Sequence, residues 1–233
     1  GVPVALIVED DKLKPADGKQ IADKFVQQDK LKIITGTIFS NVATAVVPTI
    51  LESGAFFISP NAAPSGLAGK DCHKNYFVVS WQNDNLHESA GQAATNQGYK
   101  RMVILAPNYP AGKDALTGFK RLYKGEVVEE IYTKLDQTDF AAELARIRAL
   151  KPDGVYQFHP GGLGITFTKQ YIQAGLLETV PMVVSEVSME PRVLAAVGDA
   201  AVGMNVTGHW NADFKNPANQ KFVKGFVAKY AAR

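Results

Sequence analysis

The sequence predicts an α/β fold made of parallel sheets flanked by helices. Short apolar runs alternate along almost the whole chain with amphipathic stretches of helical length. Strands that alternate with helices of about 10 to 15 residues indicate βαβ crossovers, in which helices cover both faces of a parallel sheet. The 233 residues are 46% hydrophobic and 21% charged, so the chain can bury a large core.

Each element follows from its local pattern. The first predicted helix places Ile21, Phe25 and Val26 on one face, as the helical period of 3.6 residues requires. The apolar runs predict strands at residues 4–8, 32–35, 55–58, 76–80, 101–106, 126–133, 154–158, 182–185 and 203–208. The amphipathic stretches between them predict helices at residues 15–28, 40–52, 86–97, 111–123, 140–150, 163–174, 191–197 and 217–230.

The number of strands predicts two lobes, because so many strands exceed one compact open sheet in a chain of this length. Residues 81–84 and 209–211 have the polar and aromatic composition expected where the chain crosses between two sheets. We therefore expect a first lobe at residues 1–82 and a second lobe at residues 83–209. Residues 210–233 are expected to return to the first lobe.

Composition excludes several classes of partner and cofactor. The 25 Lys and Arg against 23 Asp and Glu lack the basic excess that a phosphate backbone demands, so no nucleic acid is expected. No apolar stretch approaches the roughly 18 residues that span a bilayer, so no membrane insertion is expected. Cys72 is the one cysteine, and the four histidines lack ligand spacing, so we expect no disulfide, no metal and no cofactor. The N-terminus carries no leader pattern, which indicates a mature chain or a fragment.

The candidate binding residues follow the apolar runs, because ligands of open parallel sheets lie beyond the carboxyl ends of the strands. Ser40 is expected to cap the helix after it, where free backbone N–H groups suit a carboxylate. The loop 59–65 consists of small residues that allow close approach of a ligand, and Tyr109 and His159 follow later strands. Taken singly, these residues are also compatible with a plain cap, an ordinary turn, a surface tyrosine and a structural histidine.

Enzyme motifs are weak by comparison. A small α/β hydrolase that uses Ser40 and His159 is the enzyme alternative, but Ser40 lacks the Gly-x-Ser-x-Gly elbow. Gly161, Gly162 and Gly164 do not have the spacing of a dinucleotide-binding motif, and the sequence contains no P-loop. We therefore predict no catalytic residues and no enzyme.

The order of motifs resembles that of a known family. Segments 8–11, 36–40, 58–60, 139–140 and 198–204 resemble, in order, the type I periplasmic solute-binding proteins of ABC importers, the Leu/Ile/Val-binding family. Segments 80–84 and 106–114 look most like the subgroup associated with uptake of small aromatic carboxylic acids. The resemblance covers essentially the whole chain.

The resemblance implies a pocket for a small carboxylate ligand. Ser40 matches the serine that holds the ligand carboxylate, and Phe39 is the aromatic residue beside it. Asn61, Ala62 and Ala63 match a loop whose last member is a threonine in amino-acid binders. Alanine at that position removes a hydroxyl that serves the amino-acid head group.

The second lobe completes the implied pocket. Tyr109 matches its tyrosine, and His159 falls near a further pocket aromatic. Trp81 is a candidate for stacking on a ligand ring. Glu186 falls at the glutamate that pairs with the α-ammonium of amino acids, so the sequence leaves the ligand class open between aromatic acids and amino acids.

The resemblance also implies a biological role. It implies a periplasmic, extracytoplasmic protein that closes over its ligand by a hinge motion and delivers the ligand to the membrane permease of an ABC importer. A ligand-sensing regulator of the same fold is the alternative within binding proteins. In the family, a first strand and helix precede the segment matching Gly1 and more of the first lobe follows Arg233, so the first lobe is expected to be incomplete.

Overall fold

The computed structural model describes residues 3–230. The strands are β1 Ile33–Thr35, β2 Phe56–Ser59, β3 Tyr76–Val78, β4 Arg101–Pro107, β5 Glu126–Thr133, β6 Gly154–Gln157, β7 Met182–Ser185 and β8 Asn205–Thr207. The helices are α1 Pro15–Gln27, α2 Ser40–Glu52, α3 Asn83–Asn96, α4 Pro110–Leu122, α5 Ala141–Leu150, α6 Gly161–Gln173, α7 Pro191–Val197 and α8 Pro217–Tyr230. The strands form two parallel sheets flanked by helices, so the predicted α/β fold class is confirmed.

The first sheet has three strands in the order β1-β2-β3. Ile34 of β1 lies opposite Phe57 of β2, which in turn lies opposite Tyr76 of β3. Phe57 packs in one core with Val46 and Ile50 of α2. Helix α2 is therefore fixed on this sheet, and its N-terminus lies directly after β1.

The second sheet has five strands in the order β5-β4-β6-β7-β8. Alternate residues of β4 enter different cores, because successive side chains of a strand point to opposite faces. Val103 and Leu105 belong to the core under α5 and α6, whereas Met102 and Ile104 belong to the core under α3 and α4. Helices therefore cover both faces of this sheet.

The order in which strands are added to the second sheet reverses at β4. It places β5 on one side of β4 and then places β6 on the other side. Ligands of open α/β sheets bind beyond the carboxyl ends of the strands at such a topological switch point. The residues that follow β4 and β6 are therefore at the most favourable place in this sheet for a ligand.

Helices α3 and α4 approach each other closely at Gly118. A Cβ added at Gly118 would lie 1.9 Å from the carbonyl oxygen of Asp84. The Asp84 side chain pairs with Arg121 of α4 and accepts a hydrogen bond of 2.7 Å from Gln82. Burial alone would raise the pKa of Asp84, but hydrogen bonds from Ser65, Arg121 and Gln82 outweigh it and hold the pKa below its ordinary value. The contacts of Asp84 fix the start of α3, which lies within the predicted crossing at residues 81–84.

The predicted strand at residues 4–8 is wrong. This segment forms no strand, and the side chains of Val4 and Val8 are 90% and 75% exposed. An apolar run becomes a strand only where a neighbouring strand supplies hydrogen bonds, and no strand among residues 3–230 pairs with it. The other predicted strands and helices are present, with ends shifted by a few residues.

The described residues contain neither a membrane-spanning helix nor a cluster of metal-ligating side chains. No helix in this range combines the length and apolar composition needed to cross a bilayer. Within the same range, no three His, Cys, Asp or Glu side chains converge as metal ligands would. The lobe boundaries at residues 82/83 and 209/210 stay predictions, and the ends of the predicted first lobe, residues 1–2 and 231–233, lie outside the described residues.

Candidate functional site

A cleft of about 1430 Å³ lies at the carboxyl ends of strands from both sheets. Most of its walls come from the segments that follow the strands of the two sheets. They include Phe39, Ser40, Asn61, Ala62, Trp81, Asn83, His87, Tyr109, Phe158, Glu186 and His209. The site thus brings together seven of the nine residues predicted from the sequence, all except Ala63 and His159.

The N-terminus of α2 supplies the polar end of the cleft. Ser40 is the first residue of the helix and Phe39 occupies the capping position, so the expectation that Ser40 caps α2 is wrong. The carbonyl of Phe39 accepts the N–H groups of Val42 and Ala43. The N–H groups of Ser40 and Asn41 have no acceptor within the helix, because the first turn of any α-helix lacks one. With the Ser40 hydroxyl, these groups can hold an anion.

Asn83 lines the cleft, although the sequence did not predict it as a pocket residue. Its side-chain amide donates 2.9 Å to the Ser40 hydroxyl and 3.3 Å to the carboxylate of Asp114 on α4. Asp114 also accepts the backbone N–H of Ser65 at 3.0 Å. Asn83 therefore joins the N-terminus of α2, beside the first sheet, to the helices of the second sheet. The polar composition of residues 81–84 was the indication in the sequence, but it indicated only a crossing.

An aromatic wall forms one side of the cleft. The rings of Phe39 and Tyr109 lie 5.7 Å apart, and those of Tyr109 and Phe158 are stacked at 6.4 Å with an interplanar angle of 8°. Tyr109 follows β4 and Phe158 follows β6, so both lie at the switch point of the second sheet. Burial raises the pKa of Tyr109 far above its ordinary range, and the Asp114 charge raises it further. Tyr109 therefore keeps its phenol proton.

His159 does not line the cleft. It is fully buried on the opposite face of the second sheet, where its ring stacks on Phe167 at 4.7 Å. Its Nε2 lies 3.1 Å from the Thr133 hydroxyl and its Nδ1 2.9 Å from Gln157 Oε1. Because side chains alternate along a strand, the neighbouring Phe158 faces the cleft instead. Burial lowers the pKa of His159 to about 3, so it is neutral.

Two of the three pocket residues predicted in the loop after β2 line the cleft. Asn61 and Ala62 face the cleft, but Ala63 is buried and its carbonyl accepts the N–H of Asn83 at 3.0 Å. Ala63, the position where the resemblance implies a threonine in amino-acid binders, therefore lies behind the wall of the cleft. Trp81 lines the cleft nearby, with its ring 5.8 Å from that of His209.

The charged side chains of the cleft lie on the side of the second sheet. Glu186 follows β7, and its Oε1 lies 2.5 Å from Nδ1 of His209. Glu190 and Asp199 also line this side, and among residues 3–230 no Lys or Arg does so. An anionic ligand would therefore depend on helix N-termini and hydroxyl groups for its charge, not on a cationic side chain.

The fold and the cleft define the class of the protein. Two parallel sheets that present a shared, aromatic-walled cleft at their carboxyl ends are the architecture of a binding protein for small solutes. A family model described as periplasmic binding protein matches residues 1–233. The chain belongs to this family, and the predicted resemblance to type I solute-binding proteins of the Leu/Ile/Val-binding group is confirmed.

Relatives of known structure share the fold at high similarity. The chain is 34% identical to a solute-binding protein of an ABC transporter from R. palustris in complex with benzoate, with a TM-score of 0.87 over 96% of this chain and 62% of that one. A second protein of this kind from R. palustris, in complex with 4-hydroxybenzoate, is 28% identical, with a TM-score of 0.85 over 95% of this chain and 61% of that one.

A curated relative places the chain in the same group. Leu/Ile/Val-binding protein homolog 6 of Brucella melitensis is 28% identical over 216 residues, which are 90% of this chain and 55% of that protein. The chain thus spans about half the length of the curated relatives it matches and about three fifths of the structural ones.

Proposed function

We propose that this chain belongs to the extracytoplasmic, periplasmic solute-binding component of an ABC importer and binds a small aromatic carboxylic acid in the cleft. The protein carries out no catalysis. The wall formed by Phe39, Tyr109 and Phe158, beside the N-terminus of α2, is the observation that carries this proposal. A flat ring would lie against the wall while its carboxylate meets Ser40.

The size of the cleft supports a closing motion. Its volume of about 1430 Å³ exceeds the range of roughly 300 to 1,000 Å³ that ligand pockets usually have. Closure of the two sheets over the ligand would reduce this volume, with hinges at residues 81–84 and 209–211. The lobes 1–82 and 83–209 then move as units, and the membrane permease recognises the closed form.

Binding of amino acids is the second candidate, because Glu186 lines the cleft where an ammonium group could reach it. The experiment that separates the two is calorimetry of the full chain with benzoate, 4-hydroxybenzoate and L-leucine. We expect the aromatic acids to bind at least about 100-fold more tightly than L-leucine, since each ring pair adds roughly 0.5 to 1.5 kcal/mol beyond the buried area.

One result would favour the amino-acid function over the aromatic-acid function. Tight binding of L-leucine that is lost in Glu186→Gln and retained in Glu178→Gln would establish the amino-acid function. Glu178 is exposed and lies outside the cleft, so it is the matched control.

Ser40→Ala tests the carboxylate site. We expect the substitution to weaken benzoate binding by about 1.5 to 3 kcal/mol, the range for a hydrogen bond to a charged group. Ser53→Ala is the control, because Ser53 follows the other end of α2 and its hydroxyl donates only to the Ile50 carbonyl at 2.7 Å. Isothermal titration measures both variants. Equal affinity of Ser40→Ala and Ser53→Ala for benzoate would show that Ser40 does not bind the ligand and only accepts the hydrogen bond from Asn83.

A further inference from the structure

We propose that His209 determines ligand specificity by pairing with Glu186, which withdraws this carboxylate from the ligand and selects acids that lack an ammonium group. The inference rests on the proposed function and deepens it. It assigns the discrimination between aromatic acids and amino acids to one hydrogen-bonded pair of side chains in the cleft.

The topology brings the two residues together. Glu186 follows β7 and His209 comes two residues after β8, and these neighbouring parallel strands are in register at Ser185 and Thr207. Because a carboxylate only accepts hydrogen bonds, the Nδ1–H of His209 donates to Glu186 Oε1 at 2.5 Å. This contact occupies one of the two carboxylate oxygens.

Gly208 accommodates the other oxygen. A Cβ added at Gly208 would lie 2.1 Å from Glu186 Oε2 and 3.1 Å from the Glu186 Cβ. Glu186 therefore packs directly on the backbone at residue 208, and any larger residue there would displace its side chain. His209 thus contacts one carboxylate oxygen of Glu186, and the backbone of Gly208 packs against the other.

The charge balance of the cleft gives the pair its effect. Glu186, Glu190 and Asp199 line the same side, and among the described lining residues His209 is the only one whose side chain pairs with any of them. An unpaired Glu186 would repel a ligand carboxylate, which carries the same charge, and attract an ammonium group, which carries the opposite charge. The Nδ1–H that His209 donates lies against this carboxylate, so it weakens the repulsion of a ligand carboxylate and takes the place of a ligand ammonium group.

Trp81 holds His209 in place from the other crossing segment. The two rings lie 5.8 Å apart with an interplanar angle of 59°. Trp81 and His209 both line the cleft, so the position of the Glu186–His209 pair depends on segments from both predicted crossings.

Comparison of benzoate with L-phenylalanine tests the inference, because both carry a phenyl ring and a carboxylate and only the second carries an ammonium group. We expect His209→Ala, in the full chain, to weaken benzoate binding about tenfold and to strengthen L-phenylalanine binding. The unpaired Glu186 would repel the benzoate carboxylate and attract the ammonium group of L-phenylalanine. In His209→Ala, adding Glu186→Gln restores benzoate binding. His209→Asn, whose amide can replace Nδ1–H, retains the wild-type ratio of affinities.

His73→Ala is the matched control, since His73 is exposed and outside the cleft. If His209→Ala loses its fold by circular dichroism, Gly208→Ala provides the second variant, because it displaces Glu186 while leaving the histidine in place. The same shift in ligand preference is expected. An unchanged ratio of benzoate to L-phenylalanine affinity in the folded variant would overturn the role of His209 and leave the proposed function standing. Failure of the wild-type chain to bind any aromatic acid would overturn both.

Discussion

Acidification will lower the free energy of unfolding steeply, by about 1.4 kcal/mol per pH unit for each of His87 and His159, between about pH 6 and pH 4. Burial lowers the pKa of each from 6.5 to about 3, and the charge of Asp84 only partly offsets this for His87. In the unfolded chain both rings take up protons near their ordinary pKa, whereas in the folded chain they stay neutral. The unfolded state therefore binds more protons, and stability rises with pH across this range.

Denaturant unfolding at several pH values measures this slope. His87→Gln and His159→Gln should each reduce the slope by about half of the combined contribution of the two rings. His87 Nδ1 lies 2.7 Å from the Tyr156 hydroxyl, so loss of this hydrogen bond also lowers the stability of His87→Gln at neutral pH. The dependence of stability on pH is measured separately from that loss. His73→Gln, at an exposed site, controls for the loss of a histidine. Wild-type slopes in both buried-site variants would show that the two rings do not govern acid stability.

Gly118→Ala should destabilise the protein by at least about 3 kcal/mol, since overpacking costs roughly 1 to 3 kcal/mol and here the new atom meets backbone. The added Cβ would lie 1.9 Å from the carbonyl oxygen and 2.7 Å from the carbonyl carbon of Asp84. Neither α3 nor α4 can give way locally, because Asp84 is held by Arg121 of the same helix pair. The helices must move apart, which also moves Asn83 relative to Ser40.

Gly225→Ala gives the matched comparison on α8. No atom lies within 4 Å of a Cβ added there. The same substitution should therefore stabilise the protein by about 0.5 to 1 kcal/mol, the usual gain when alanine replaces glycine inside a helix. Thermal or denaturant unfolding compares the two variants. Similar effects of the same sign would show that contact at Gly118 does not control the helix pair.

Periodicity in the sequence predicted most of the fold because most elements form under local rules. Helix α2 begins and ends at the predicted residues 40 and 52, since its apolar face and its boundaries are both visible in the sequence. The segment 4–8 shows the limit of this reasoning. Its composition suits a strand, but a strand also needs a hydrogen-bonding neighbour, which periodicity does not reveal.

The site was predicted less completely than the fold. Some predictions fell on the residue next to the one that faces the cleft, and others missed contacts between residues far apart in the sequence. Phe158 and His159 are adjacent, and only the alternation of faces decides which one enters the cleft. The link from Asn83 to Ser40 spans 43 positions of the chain, and no local pattern encodes it. The pairing of Glu186 with His209 likewise depends on the neighbouring positions of β7 and β8 in the sheet.

The bridge through Asn83 also sets the polarity of the Ser40 hydroxyl. Because the Asp114 carboxylate can only accept, the Asn83 side chain must present its NH₂ group to Asp114, and the same nitrogen donates to Ser40. The Ser40 oxygen is then used as an acceptor, which leaves its proton free to be donated. Together with the N–H groups of α2, this end of the cleft offers a set of donors. A group made of donors needs lone pairs on its partner, so we expect this end of the cleft to accept a carboxylate and to exclude a benzylammonium ion of nearly the same shape.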